Sequence, residues 1–431
     1  MNEPRKTSCP SSGGGHHAKR GRRDFLRKGA LAAGAISLFP APWVMAGEGV
    51  RGANDRVGVG FIGTGGRAQA HIDICLGLKA QGRCETVAVC DVYGPRVEAA
   101  AQKTGGKVYR NHRELLADPR VDVVCIATPD RRHAPQALDA VQAGKDVYCE
   151  KPLTHWSQFD LAKRLGEETE KCKRIVQVGT QFVADDAYDA AKKLIHEGIV
   201  GKILHVQAGY FRRGDWGERM PIPDPAAKPG PNLDWEQFLG DAPKRPFDVS
   251  RFFQWRLYWD YAGGPATDLL VHVFTPVFRL LDLDFPERVF GGGGTFQYNR
   301  EVPDQCNIIA DYPGGPSVVL MNSLSNFTGI QTILRGTDGA IVFGNVENFG
   351  PGIRLVPAGK GRQEVLIPWH GAGDTGRLWA NFLDCVKSRQ RPFSPIDIAV
   401  RVQAPLNMGI LSHRASKVAK FDKAAQQIVL E

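Results

Sequence analysis

The 431 residues, 42% hydrophobic and 23% charged, suffice for two domains with substantial cores and have the composition of an ordinary globular protein. The formal net charge of +9 would suit nucleic acid or anionic lipid, but residues 1–28 carry eight Lys or Arg against Glu3 and Asp24, and residues 29–46 carry no charge. Only about +3 remains beyond residue 46, so the composition excludes a nucleic-acid-binding body.

The N-terminal stretch reads as a targeting segment. Ser11 to Gly15 and the surrounding basic residues are too polar to fold. Arg22-Arg23-Asp24-Phe25-Leu26 then precedes a chargeless run that ends Val44-Met45-Ala46, a small-x-small pattern suited to cleavage after Ala46. Pro40 and Pro42 make that run a poor membrane span. The arginine pair before Phe-Leu resembles a twin-arginine export signal, which implies the twin-arginine export machinery as a partner and the periplasm as destination. The plainer reading is a basic tail leading into an ordinary helix. Of nine Cys, none forms a Cys-x-x-Cys pair or a zinc-spaced cluster with His, so no metal is expected. Twin-arginine cargo folds in a reducing cytoplasm, and no disulfide framework is expected.

From Arg56 onward, strand-like and helix-like segments alternate. Strands are predicted at Val57–Ile62, Thr86–Cys90, Val123–Ala127, Asp146–Cys149 and Ile175–Val178, and helices at Arg131–Gly144 and Trp156–Cys172. Repeated β-α units of this size predict an N-terminal Rossmann domain over 55–180, a parallel sheet with right-handed crossovers. The second half has short strands joined by Gly/Pro turns, from Lys202–Tyr210 to Glu364–Ile367, with helices predicted at Ala187–Glu197, Thr267–Leu281, Thr375–Ser388 and Ile396–Ser412. This predicts a C-terminal α+β domain over 181–431, built on a mainly antiparallel sheet.

The chemistry-bearing residues sit at strand ends. Gly63, Gly65 and Ala68 form G-x-G-x-x-A between a strand and a helix, where glycines permit a tight turn and close approach of a pyrophosphate to the helix N-terminus. Asp91 ends the second strand, where it can bind both ribose hydroxyls of NAD; Arg96 nearby keeps NADP open. Thr128-Pro129-Asp130 and Glu150-Lys151-Pro152 follow later strands and therefore face the same crevice. By itself Lys151 also reads as a solvated loop lysine. The expected cofactor set is Gly63, Thr64, Gly65, Gly66, Arg67, Asp91, Thr128, Pro129, His133, Glu150, Lys151 and Gln181.

The glycine turn, Thr128-Pro129, Glu150-Lys151-Pro152 and the run from Gly263 to His272 resemble the Gfo/Idh/MocA family in order and spacing, over roughly residues 56 to 415. The resemblance implies that Lys151 reaches nicotinamide and substrate, and that Asp268 and His272, four residues apart on one helix, face the substrate. Leu270 departs from an Asp-x-Gly-x-His pattern, and Thr275 replaces a frequent Asp. The spacing of Asp268 and His272 alone also describes a surface ion pair. For catalysis, His272 suits a base, Lys151 a cation that stabilises an alkoxide, and Asp268 a group that orients the base.

Between Phe211 and Tyr261 a long segment carries seven prolines, Pro221 to Pro246, and ten aromatics, Trp216 to Tyr261. It reads either as a lid over the substrate or as a satellite core or oligomer contact. Tyr210, Arg256 and Tyr258, together with His272, are the substrate-contact candidates. The function expected is an NAD(P)-dependent oxidoreductase acting on a sugar, glycoside or polyol, with tightly held NAD and a homo-oligomeric assembly. Redox-neutral NAD-dependent cleavage of a glycosidic bond and a non-enzymatic cofactor-binding role are the two other readings.

Overall fold

The computed structural model describes residues 56–214, 220–344 and 350–431. The predicted export segment, 1–46, and Trp216 lie outside the described residues. The first domain runs β1 (Val57–Ile62), α1 (Gly66–Ala80), β2 (Cys84–Cys90), α2 (Gly94–Thr104), β3 (Lys107–Tyr109), α3 (His112–Leu116), β4 (Val123–Ile126), α4 (Asp130–Gln142), β5 (Asp146–Cys149), α5 (Phe159–Lys171) and β6 (Val176–Val178). Its six strands are parallel in the order β3-β2-β1-β4-β5-β6. Every residue of β1, β4 and β5 is buried, as continuous apolar runs covered by helices on both faces require. The strand order reverses between β1 and β4, and a crevice opens there beyond the carboxyl ends. β3 and α3, three and five residues long, are too short to show a period in the sequence. The predicted helix Trp156–Cys172 begins only at Phe159, because residues 154–158 turn in place, with Thr154 Oγ1 bonded to Gln158 Oε1 at 3.2 Å.

The second domain continues with α6 (Ala187–His196), β7 (Ile203–Arg213), α7 (Trp235–Leu239), α8 (Val249–Phe253), α9 (Pro265–Asp268) and α10 (Leu270–Leu281). Strands β8 (Arg288–Gly294), β9 (Gln305–Asp311), β10 (Ser317–Ser323), β11 (Ser325–Asn326), β12 (Ile333–Gly336), β13 (Gly339–Phe343), β14 (Gly352–Pro357) and β15 (Val365–Pro368) follow. The chain ends with α11 (Thr375–Ser388), α12 (Ile396–Ala415), β16 (Ala419–Asp422) and β17 (Gln427–Leu430). The sheet order is β15-β14-β13-β12-β7-β10-β9-β8-β16-β17, antiparallel except where β7 meets β10. α10 is apolar nearly all round and buried along almost its whole length, as a core helix must be. α12 covers the sheet so closely that a Cβ on Gly291 would lie 1.8 Å from Gly409 O.

Two features position the site. The helix expected over Thr267–Leu281 starts at Pro265 and is interrupted at Leu269 (φ −115°, ψ −48°), which separates α9 from α10. α11 returns to the first domain, where Leu378, Trp379, Phe382 and Leu383 complete the core of β1, α1 and β5.

Candidate active site and cofactor cleft

A cavity of about 540 Å³ runs from Asp91, Arg96 and Arg110 at one end to Lys151, Tyr210 and His272 at the other. The glycine turn forms its floor. Gly63 has φ +82°, and a Cβ there would lie 2.8 Å from Ala127 O and from Thr128 Cγ2, so only glycine fits. Gly66 meets no protein atom, and the nearest to Gly65 is Arg96 at 3.7 Å, so neither glycine is demanded by protein packing. α1 begins with no side-chain cap, which leaves its first N–H groups for an anion. Together these features fit the pyrophosphate of a dinucleotide. Asp91 Oδ2 accepts from Thr64 N at 2.8 Å and Thr64 Oγ1 at 3.1 Å, and Oδ1 accepts from Tyr93 N at 2.9 Å. Asp91 therefore braces the turn as well as facing the cleft. Both the amide and the hydroxyl of Thr64 are directed to Asp91.

The aromatic-rich segment forms a satellite core that also borders the cleft. Trp235, Phe238, Phe252, Phe253 and Tyr261 form a satellite core with Tyr93, and Phe238, Phe252 and Phe253 also wall the cleft. Arg96 lies 5.7, 5.7 and 5.1 Å from the ring centres of Tyr93, Phe252 and Phe253. Tyr258 is a correction. It is absent from the cleft wall, bonds Ser250 Oγ at 2.7 Å and lies under Arg251. A local run of aromatics gives no sign of which rings face inward.

At the next strand end Glu150 is buried and anchors a network. It accepts from Arg67 Nε at 2.7 Å and His71 Nε2 at 2.8 Å, while Trp379 Nε1 donates to His71 Nδ1 at 2.9 Å. Indole N–H can only donate, so His71 is a neutral ring with its proton on Nε2, facing Glu150; burial lowers its pKa in the same sense. Burial opposes ionisation of Glu150, but Arg67, His71 and Lys151 outweigh it and hold the carboxyl well below its usual range. Trp379 also stacks on Tyr148, with centres 4.4 Å apart. His71, Trp379 and the buttressing part of Glu150 were not anticipated; their partners are up to 308 residues apart in sequence. His133 lines the cleft but turns both ring nitrogens to carbonyls, Pro152 O at 2.7 Å and Thr128 O at 2.8 Å, and so ties the two strand ends together. Thr128 Oγ1 donates to Gln136 Oε1.

Lys151 and Asp268 meet directly. Lys151 Nζ donates to Asp268 Oδ1 at 2.5 Å and to Asp268 O at 2.7 Å, and Arg256 Nε lies 3.7 Å from the same carboxylate oxygen. Burial disfavours the Asp268 charge, but Lys151 and Arg256 hold the carboxyl well below its usual range. The expected orienting bond from Asp268 to His272 is replaced by this one, because the interruption at Leu269 ends the single helical face on which the two would stack. His272 is nevertheless brought to the same end of the cleft, beside Phe182 and Tyr210. Burial, then Lys151, push its pKa down to about 3, so the ring is neutral. Its Nδ1 and Gln181 Oε1 are buried without a hydrogen-bond partner, and both residues line the cleft. Two unsatisfied polar atoms beside an ammonium suit a nicotinamide carboxamide and a substrate hydroxyl. Asp130, passed over as a site residue in the sequence, is also buried here, and burial followed by Asp268 pushes its carboxyl up to about 7.

Residues 57–180 match the model described as an oxidoreductase family, NAD-binding Rossmann fold, and residues 186–431 match its C-terminal alpha/beta domain. Inositol 2-dehydrogenase of Rubrobacter xylanophilus is 35% identical over 38% of this chain and 47% of that protein. Levoglucosan dehydrogenase of Pseudarthrobacter phenanthrenivorans is 29% identical over 54% of this chain and 57% of that one. The chain thus spans about half the length of these curated relatives. The WlbA dehydrogenase of Bordetella pertussis, solved with NADH and UDP-GlcNAcA, superposes with TM-score 0.65 at 19% identity over 85% of this chain and 99% of that one. A levoglucosan dehydrogenase solved with NADH superposes with TM-score 0.64 at 21% identity, over 87% and 99%.

Proposed function

Because this chain belongs to the Gfo/Idh/MocA oxidoreductase family, we propose that it moves a hydride between a tightly held nicotinamide dinucleotide and a hydroxyl-bearing carbon of a sugar, glycoside or polyol. The observation that carries the reading is the Lys151–Asp268 pair beside neutral His272, at the far end of a cleft floored by the Gly63 turn. Inositol and levoglucosan, named in the relatives, are compact polyhydroxylated rings, and the rings of Tyr210 and Trp255 in the cleft wall offer apolar faces of matching kind.

When bound, the dinucleotide supplies the hydride acceptor or donor. Lys151 Nζ, held by Asp268, donates to the substrate oxygen and stabilises negative charge as it develops there. His272, neutral and with Nδ1 unsatisfied, accepts from the hydroxyl and so orients it. Glu150 fixes Arg67 in the first turn of α1, where its charge serves the phosphates. Asp91 faces the ribose end and favours NAD over NADP.

The proposal includes export. Arg22-Arg23 and the chargeless run to Ala46 act as a twin-arginine signal, the folded protein carries its dinucleotide to the periplasm, and the cofactor is retained through turnover. A homo-oligomer is supported by the sheet face on which Phe290 and Ile309, paired across β8 and β9, are 40% and 43% exposed. The test is to desalt the mature protein, assay bound dinucleotide, and follow nicotinamide absorbance and products with myo-inositol, levoglucosan and a glycoside panel. Retained dinucleotide with net oxidation of one of these is expected. Glycosidic cleavage without net oxidation would replace the oxidoreductase reading, and loss of all dinucleotide on desalting would end the tight-binding part.

A further inference from the structure

Oxidation of an alcohol carbon by hydride transfer leaves a proton to be placed. The C–H electron pair departs with the hydride to nicotinamide, the O–H pair becomes the second bond of the carbonyl, and the hydroxyl proton passes to the protein. The groups nearest the substrate end are poorly suited to keep it. Burial and Lys151 disfavour a charged His272, and Asp268 is already held by Lys151 and Arg256.

Asp130 differs in its placement. It is the first residue of α4, just past the end of β4, and only 3% exposed. It lines the main cleft together with Lys151, Asp268 and His272. It also lines a second, smaller chamber of about 10 Å³ with Asp268, Arg256 and Arg300, which is room for about one water molecule. The charged groups facing it are Asp268 from α9, Arg256, Lys151 beyond β5, and Arg300 across the chamber. On its own helix, Arg131 turns to Asp241 and His133 to backbone carbonyls. Asp130 thus stands behind the Lys151–Asp268 pair, with access to both the substrate space and the chamber.

We infer that Asp130 is the proton reservoir of the reaction, reached through the Lys151–Asp268 pair. In the oxidising direction Lys151 gives up one proton, by way of Asp268 and the shared chamber, to the Asp130 carboxylate and takes the hydroxyl proton in its place; in the reducing direction both shifts run back. The inference rests on the hydride-transfer reading above. A carboxyl pushed up to about 7 by burial and by Asp268, against the pull of Arg256 and Lys151, has both protonation states within reach at neutral pH. The group must be ionised to receive the proton, so oxidation should speed up as pH rises through its midpoint.

The test combines a titration that needs no turnover with a pH profile. Full-length mature protein labelled with carboxyl-¹³C aspartate is titrated by NMR as wild type and as Asp130→Asn. One resonance should titrate near neutrality and be missing from Asp130→Asn; in Asp268→Asn its midpoint should fall, and in Lys151→Met it should rise. With the polyol that gives the fastest NAD reduction, taken from myo-inositol and levoglucosan, Asp130→Asn should lose about 10²-fold in kcat. It should also lose the rising limb, which Asp130→Glu should restore with a displaced midpoint. A merely structural Asp130 would leave the limb in place. An active enzyme whose aspartates all titrate in the ordinary acidic range, or whose Asn variant keeps the limb, overturns this inference alone. A near-neutral Asp130 in a protein that reduces NAD with neither polyol, nor with the glycoside panel, instead overturns the functional reading, and the reservoir with it.

Discussion

Lys151→Met should destabilise the protein through the carboxylate it abandons. Lys151 and Asp268 side chains are 13% and 14% exposed, and their contact is reinforced by the bond from Nζ to Asp268 O. Breaking a buried pair by removing one partner costs about 3–5 kcal/mol, most of it the price of an uncompensated charge. Arg256, 3.7 Å from the same oxygen, remains, and methionine keeps most of the apolar stem, so the expected loss is at the lower end, about 3 kcal/mol. Removing the charge as well should repair part of the damage. Lys151→Met with Asp268→Asn should be more stable than Lys151→Met alone, with a coupling of about 2 kcal/mol between the sites. Asp268 is held below the usual carboxylate range, so the pair's contribution is fully present above about pH 4 and fades as pH falls further. Urea midpoints by tryptophan fluorescence, at neutral pH and in acid, measure all four proteins of the cycle. Strictly additive losses, or a Lys151→Met variant as stable as wild type, would refute the account of this pair.

Asp130 has the opposite sign: its raised carboxyl binds a proton more tightly folded than unfolded, so its contribution falls as pH rises from about 4 to about 7. Asp130→Asn should therefore gain stability relative to wild type above neutral pH, by up to about 4 kcal/mol, and lose the gain in acid, as read from urea midpoints across pH. Asp91→Ala frees the amide of Thr64 in the glycine turn, so affinity for NAD should fall about 10- to 100-fold and affinity for NADP should not improve to match, by calorimetric titration. Trp379→Phe leaves His71 Nδ1 without its donor; a loss of about 1–3 kcal/mol is expected, with less dinucleotide retained on desalting. Replacing Arg22 and Arg23 by Lys should hold the precursor in the cytoplasm, checked by fractionation and immunoblot.

What could be read in the sequence follows from the range of the forces involved. The runs Val57–Ile62 and Val123–Ile126, without a polar side chain, announce covered parallel strands, because burial on both faces leaves no alternation to misread. Gly63 was legible from its place between a strand and a helix, and Lys151 and His272 through the resemblance of their motifs to the family's; all three line one cleft. The partner of Lys151 was not legible, because one residue, Leu269, out of helical conformation redirects the Asp268 carboxylate. Asp130 carried no signal of its burial, which depends on α9 and Arg256 arriving from far along the chain. Tyr258 and Phe253 look equivalent in sequence, yet one is held under Arg251 and the other walls the cleft.

The indole of Trp379 has a further meaning for how the protein is made. The brace beneath the dinucleotide turn is finished by a residue that emerges from the ribosome 308 positions after the histidine it grips, and the same helix closes the apolar flank of β1 and β5. A fragment ending near residue 180 would therefore present that flank to water and leave Glu150 with a loosened histidine. The nucleotide half takes part of its core from α11. Cofactor occupancy should therefore report on α11 as well as on the nucleotide half, through the bond from Trp379 to His71.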